Sequence, residues 1–200
     1  LFAAACAVGF VASTLLFLPN RWPLYLALPV LAFLMGYSYA KRFTALAHFW
    51  LGAALMLAPV AAWIAVRGEI TWPPVVLGAA VLLWVAGFDI IYSCQDFEFD
   101  RDAGLFSLPR RLGIAGALRV SRALHVTMLG CLLALVHALA LGPLAVAGVA
   151  VVAALLAYEH RLVKADDLSR VDAAFFTING YVSVLFFLFW AADIFYAGRH

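Results

Sequence analysis

Charge is scarce in this sequence and has little bias of sign. Lys and Arg number 13, Asp and Glu 11, together 12% of 200 residues, for a formal net charge of +2. A nucleic-acid partner requires a dense basic surface that displaces condensed counterions; a charge this mild and dispersed supplies none, so nucleic acid is excluded as a partner. Cysteine is equally sparse. Cys6, Cys94 and Cys131 form no CxxC pair and are odd in number, so neither a disulfide framework nor a zinc site is indicated. Each sits in or beside an apolar run, where a free Cys behaves as a small hydrophobe. There is no Gly-rich phosphate loop, no HExxH and no Ser/His/Asp spacing, which leaves metal and Arg or Lys to hold any phosphate. The sequence also has no initiator Met and no basic stretch before its first apolar run. It does not read as a signal peptide but as a chain cut at its N-terminus.

Apolar residues, by contrast, are in excess. They make up 67% of the chain, with a mean hydropathy of +1.03, against roughly 45–50% in globular domains. A single soluble core of this size cannot hide that much apolar surface, so lipid must be part of the solvent. A helix crosses the hydrocarbon layer with about 20 apolar residues. Division at charged and Pro/Gly breaks predicts about seven spans: Leu1 to Leu18, Trp22 to Tyr39, Leu46 to Val66, Pro74 to Cys94, Leu118 to Leu141, Leu144 to Tyr158 and Ala173 to Ala197. The fold class is all-α, a multi-span transmembrane helical bundle forming one domain over residues 1–200.

The connections alternate in character. Pro19-Asn20-Arg21, Arg67-Gly68-Glu69 and Gly142-Pro143 are tight, whereas Lys41-Arg42, Asp96 to Arg122 and Glu159 to Asp172 are polar and mostly long. Of the 13 basic residues, only Arg21, Arg67 and Arg199 fall on the tight side. The positive-inside rule makes the polar side cytoplasmic, in the inner membrane of a cell. Trp22, Trp63, Trp72 and Trp190 lie near span ends and suit interfacial anchoring, or simple packing between helices.

The segment from Phe88 to Gly113, FDIIYSCQDFEFDRDAGLFSLPRRLG, carries the chemistry. On a continuous helix Asp96 and Asp100 stand about one turn apart, and Asp89, seven residues earlier, falls within about 20° of the same stripe. Three carboxylates on one face repel and require a counter-ion. Mg²⁺ is commonly held by one or two carboxylates with phosphate oxygens and water completing the octahedron, so Asp96 and Asp100 supply half a site and a diphosphate the rest. The alternative is a solvated acidic loop balanced by Arg101, Arg110 and Arg111. Against it stands Asp89, an ionisable group inside an apolar span, which costs about 2.5–3.5 kcal/mol on insertion scales and marks function.

A second constellation, YSYAKRFT from Tyr37 to Thr44, meets the same membrane face. Tyr37 and Lys41 are one helical turn apart and can point into one cavity; by itself the octet equally reads as an interfacial tyrosine with a snorkelling lysine. The histidines are weaker candidates. His48 and His160 fall in polar connections and His125 and His137 are lone imidazoles in one span, so packing or solvation is expected for each. Asn179 is expected to make an interhelical hydrogen bond, and Asp193 to reach only the outer interface.

YSYAKRFT together with the downstream QDFEFDRDAGLFSLPRRLG closely resembles the UbiA superfamily of membrane prenyltransferases, particularly its 4-hydroxybenzoate polyprenyltransferase-like branch, and the resemblance runs along essentially the whole chain. The family's DxxxD motif falls on Asp96 and Asp100, its YxxxK motif on Tyr37 and Lys41. The resemblance implies nine transmembrane helices around a cavity open to lipid, with two Mg²⁺ ions bridging a diphosphate. Nothing here matches the family's first aspartate motif, NDxxDxxxD, and the seven spans correspond to helices three to nine. Two helices and half the metal site are thus expected to be missing, and the chain alone is expected to be inactive.

The activity implied is transfer of a polyprenyl group from its diphosphate to an aromatic acid, 4-hydroxybenzoate or, as an alternative, the dihydroxynaphthoate of menaquinone synthesis. Metal at Asp96 and Asp100 would neutralise the leaving group, with Lys41, Arg101 and Arg110 stabilising developing charge and Tyr37 bonding the diphosphate. Arg42 would pair with the acceptor carboxylate, and Asp89 would orient or deprotonate the acceptor. Aromatic rings, 14% of residues, would face the allylic cation. A cation-coupled transporter is the alternative from another class, but its ion site belongs near the bilayer midplane rather than at a helix end beside Arg residues.

Overall fold

A computed structural model describes residues 2–197, with side chains as far as Tyr196. Leu1, the start of the first expected span, and Arg199, assigned by sequence to the tight side, lie outside the described residues. In chain order the elements are α1 (Phe2–Ser13), α2 (Trp22–Gly36), α3 (Ala47–Arg67), α4 (Trp72–Ser93), the short α5 (Phe97–Asp102), α6 (Leu108–Ala138), α7 (Pro143–Leu162) and α8 (Asn179–Ala197). Tight 3₁₀ turns extend α1 (Thr14–Phe17) and α2 (Tyr37–Arg42) and join α4 to α5 (Cys94–Asp96), and a π-helical segment (Ala173–Ile178) leads into α8. Without water in the hydrocarbon layer, each span must satisfy its backbone internally, which the helix does. Pro stands in the first turn of α2, α4, α6 and α7, where its missing N–H is no loss. Gly68, at φ 72°, ends α3, as left-handed glycines do.

Six stretches among the described residues are long and apolar enough to cross a membrane: Trp22–Arg42, Ala47–Arg67, Trp72–Asp102, Leu108–Ala138, Pro143–Leu162 and Ala173–Tyr196. The expected first span is a shorter apolar helix, Phe2–Phe17. Two boundaries move outward. The region of the fifth span is two helices meeting at Gly113, whose φ 70° and ψ 162° are not helical: a short turn opened at Leu108, where Ser107 accepts from the Arg110 amide, and the span proper, which starts a few residues before the expected Leu118. The sixth runs to Leu162, carrying Glu159 and His160 on the helix rather than in a connection.

Small residues let the spans approach closely. A Cβ on Gly52 of α3 would lie 2.5 Å from the Leu82 carbonyl oxygen of α4, and one on Gly78 of α4 would lie 2.9 Å from the Met56 oxygen of α3. Ser121 of α6 donates to the Gly87 oxygen of α4 at 2.8 Å. Gly148 of α7 admits the Phe189 Cβ of α8. One apolar cluster, with Met128, Leu132, Val149 and Val152, joins α4 to α6, α7 and α8; a second, with Ile90, Ile91, Leu118 and Val163, lies toward the polar connections. Trp190 is buried in the first cluster and packs tilted on Phe186, so it is a core residue and not an interfacial anchor, whereas Trp22 and Trp72 are half exposed.

Both ends are tied by side chains. At the tight end the Asn20 amide donates to the Ile64 oxygen at 2.7 Å. Asp193, expected to reach only the interface, is buried and accepts from the amides of Gly142, Leu144 and Ala145 at 2.7, 3.1 and 3.2 Å; the free N–H groups at the start of α7 attract it inward. At the polar end Asp167 accepts from the Ser169 hydroxyl and amide, which hold its carboxyl below the usual carboxylate range.

Candidate active site

The site forms where the turn after α2 meets the end of α4. The Tyr37–Arg42 3₁₀ segment brings Lys41 over α4 and α5, and the Phe106 amide donating to the Lys41 oxygen at 2.8 Å anchors that turn to the connection before α6. The Lys41 ammonium then reaches two carboxylates, Asp96 at 3.4 Å and Asp100 at 3.3 Å. Asp100 is almost fully buried, with 1% of its side chain exposed, while Asp96 is 48% and Lys41 33% exposed. The two motifs, 55 and 59 residues apart, therefore converge on one cluster that is open toward the polar end.

The single three-acid stripe does not form. α4 stops at Ser93, and Cys94–Asp96 winds as a 3₁₀ turn. Its tighter winding, 3.0 rather than 3.6 residues per turn, rotates α5 by roughly 60° across three residues. Asp89 is left facing α3, where His48 Nδ1 lies 2.6 Å from its Oδ2. His48, expected to be solvated or packed in a connection, is instead on α3 and 1% exposed. Tyr37 is partly buried and its phenol lies within electrostatic reach of Asp89.

The arginines stand apart from Asp96 and Asp100. Arg101 pairs with Glu98 and with Asp102 on its own short helix. Arg42 stacks on the exposed Tyr39 ring, 5.4 Å from its centre. Arg110 donates to the Leu105 oxygen at 2.5 Å and lies over the Phe106 ring. Together with Arg111, Ser107, Phe43 and Thr44 it lines a cavity of about 490 Å³ beside the Lys41 turn.

A row of rings on α4, Trp84, Phe88 and Tyr92, meets Phe175 and Phe176 of the π-helical segment, with Tyr92 and Phe175 centroids 4.2 Å apart. Behind it is a buried polar network that sequence reading missed. Trp84 Nε1 donates to Asn179 Oδ1 at 2.8 Å, and Asn179 Nδ2 donates to Glu159 Oε1 and to the Ala174 and Phe175 oxygens. His125 is not a lone imidazole: its Nε2 donates to the Trp84 oxygen at 3.2 Å and its Nδ1 lies 3.0 Å from His160 Nε2. Asn179 thus makes the expected interhelical bond; the π-helical widening frees the carbonyls it serves.

The donor set suits a hard divalent cation. A cationic group already sits between Asp96 and Asp100, and two carboxylates with room for phosphate oxygens and water match Mg²⁺ rather than a thiolate- or imidazole-seeking metal. Among the described residues no group of three or more His, Cys, Asp and Glu converges to hold a metal unaided.

The profile of the UbiA prenyltransferase family matches residues 1–189. This chain belongs to the UbiA family. It is 32% identical over 197 residues to the 4-hydroxybenzoate octaprenyltransferase of Marinobacter nauticus, covering 97% of this chain and 65% of that protein. It is 34% identical over 148 residues to the 4-hydroxybenzoate solanesyltransferase of Synechocystis, covering 72% of this chain and 47% of that protein. The apo structure of a UbiA homolog from Aeropyrum pernix K1 superposes with a TM-score of 0.80 at 34% identity, over 96% of this chain and 70% of that one. The chain thus spans less than two thirds of the length of these two curated relatives, and its bundle is a UbiA fold.

Proposed function

We propose that the protein transfers a polyprenyl group from a polyprenyl diphosphate to the ring of an aromatic acid of the 4-hydroxybenzoate kind, within the lipid bilayer. The observation that carries the reading is the convergence of Lys41 on Asp96 and Asp100 at the polar mouth of an apolar bundle. In a chain of this family, that cluster suits a diphosphate head entering from water while its tail stays in lipid. Supporting the acceptor are relatives named for 4-hydroxybenzoate.

Asp96 and Asp100 would hold Mg²⁺, which when bound supplies Lewis-acid neutralisation of the diphosphate. Lys41 stabilises the phosphate charge that develops as the allylic C–O bond breaks. Tyr37, on the same turn, donates to the diphosphate. Arg110, with Arg111 beside it in the cavity next to the Lys41 turn, draws the donor's anionic head toward the mouth. Arg101, across its own short helix, adds positive potential. Arg42 pairs with the acceptor carboxylate and Asp89 orients the acceptor. The row Trp84, Phe88, Tyr92 with Phe175 presents ring faces to an allylic cation and keeps water from it. The polar end faces the cytoplasm of a cell with an inner membrane, in keeping with its excess of Lys and Arg.

The test is prenyl transfer by the full-length protein in membranes, with Mg²⁺ and a polyprenyl diphosphate, comparing 4-hydroxybenzoate with dihydroxynaphthoate. Prenylated ring product, lost in both Asp96→Ala and Asp100→Ala, is expected. Product undiminished by either substitution, or none with any aromatic acceptor, overturns the reading.

A further inference from the structure

The Asp89–His48 pair is not needed to explain the diphosphate cluster, and nothing in the packing of α3 on α4 demands it. His48 is 1% exposed, and its only hydrogen bond among the described residues goes from Nδ1 to Asp89 Oδ2 at 2.6 Å. Its other nitrogen, Nε2, is buried with no partner. A polar side chain that leaves one nitrogen unsatisfied inside an apolar bundle carries a desolvation cost, which its one hydrogen bond has to offset. At 2.6 Å that bond is short for an N–H···O contact. An ionised carboxylate only accepts, so Nδ1–H donates and locks both the imidazole tautomer and the carboxylate rotamer.

The lock leaves one atom free. Asp89 Oδ1 makes no hydrogen bond among the described residues, and the side chain remains 15% exposed, so a ligand can reach it. Seven residues before Asp96, Asp89 lies about 10 Å deeper along the helix axis, with the Tyr37 phenol within electrostatic reach. A diphosphate at Asp96 and Asp100 would therefore place its allylic carbon between that cluster and Asp89.

We infer that His48 is a positioning residue that holds Asp89 so that Oδ1 accepts the hydroxyl proton of a phenolic acceptor. This rests on the prenyl-transfer reading above. The phenol O–H proton passes to Asp89 Oδ1, leaving a phenolate. Its ortho carbon forms the C–C bond to the allylic carbon as the C–O bond to diphosphate breaks with its electron pair. The resulting dienone loses its ring proton to solvent while Asp89 returns its proton to oxygen, restoring the phenol. One proton and the diphosphate leave, and no oxidant or reductant is consumed. The ligand class so selected is a phenol ionisable at a ring hydroxyl; an aromatic ring lacking that hydroxyl is not turned over.

The test uses His48→Phe, His48→Gln and His48→Asn in membranes containing the full-length protein, with kcat and both KM values measured for 4-hydroxybenzoate and a polyprenyl diphosphate. Phe and Gln remove the donor from the Nδ1 position; Asn restores an N–H there. The expected result is kcat about 10²-fold lower in Phe and Gln, the size of effect that misplacing a reacting group produces. The KM for the polyprenyl diphosphate stays unchanged, and most of kcat returns in Asn. If Phe does not accumulate in the membrane, Gln and Asn carry the comparison. Equal loss in Gln and Asn, or a kcat unchanged in Gln, overturns the inference while wild-type product upholds the transfer reading. Absence of wild-type product with every phenol tried overturns both.

Discussion

Lys41 shows how a single side chain can join two motifs. It lies between Asp96 and a nearly inaccessible Asp100, so its removal strands a buried carboxylate. Lys41→Met should lower stability by about 1–3 kcal/mol, measured as thermal unfolding in detergent. Added MgCl₂ should raise the melting temperature of this variant more than that of wild type, since a divalent cation restores the missing charge; equal shifts would argue against a cation site at the two carboxylates. Asp193 makes the corresponding case for structure. It holds three amides at the start of α7, and Asp193→Ala should destabilise by about 1–2 kcal/mol, the range for loss of a helix cap, without altering substrate KM values. The residues of the Lys41 cluster were legible only from the YxxxK and DxxxD motifs taken together and their resemblance to a known family; that the ammonium reaches both carboxylates is a finding of the fold. His48 was not legible, because its partner is 41 residues away and a lone histidine in the first turn of a span gives no sign of which neighbouring helix it meets. Glu159 and His160 were misplaced because polarity at a helix end imitates a loop.

Between elements, contact is set by backbone proximity. Gly52 abuts a carbonyl of α4, an atom that cannot swing away, so Gly52→Ala should destabilise by about 1–3 kcal/mol through overpacking. A Cβ at Gly130 of α6 meets nothing within 4 Å, so Gly130→Ala should be neutral or stabilising by up to about 1 kcal/mol. Melting temperatures of the two variants should move in opposite directions or differ clearly in size. The 3₁₀ turn at Cys94–Asp96 has a functional counterpart to this packing: by rotating α5 against α4 it directs Asp96 and Asp100 to Lys41 and leaves Asp89 to His48. A helical wheel cannot contain that rotation, since it assumes one winding throughout.

For the whole molecule, the alternation of tight and polar connections puts Lys41, Asp96, Arg110 and Asp167 at one end of the bundle and Asn20, Glu69 and Asp193 at the other. Cysteines placed at the exposed positions Asp167 and Glu69, in a protein with its native cysteines replaced, should react with a membrane-impermeant maleimide from opposite faces, Asp167→Cys only from the cytoplasm. Labelling of both from one face would overturn the proposed topology. An ion site at the bilayer midplane, as a cation-coupled transporter would use, has little support in this arrangement. The buried His125, His160, Glu159 and Asn179 are held by one another and by Trp84, and the acids with a cation between them lie at a helix end.

What the sequence determined by itself was the solvent and the helical architecture. Hydropathy is a sum over residues and periodic motifs are local, so a multi-span helical bundle with two unlike ends could be read from the order of residues alone, and the two motifs marked which residues would carry the site. Only the tertiary structure decided which side chains meet across the bundle: that Asp89 belongs to His48, that Asp193 caps α7, that Trp190 is core, and that Arg42 and Arg101 do not pair with Asp96 or Asp100. Those outcomes depend on helix rotation and on close approach at glycines, both properties of pairs of elements that no single stretch of chain encodes alone.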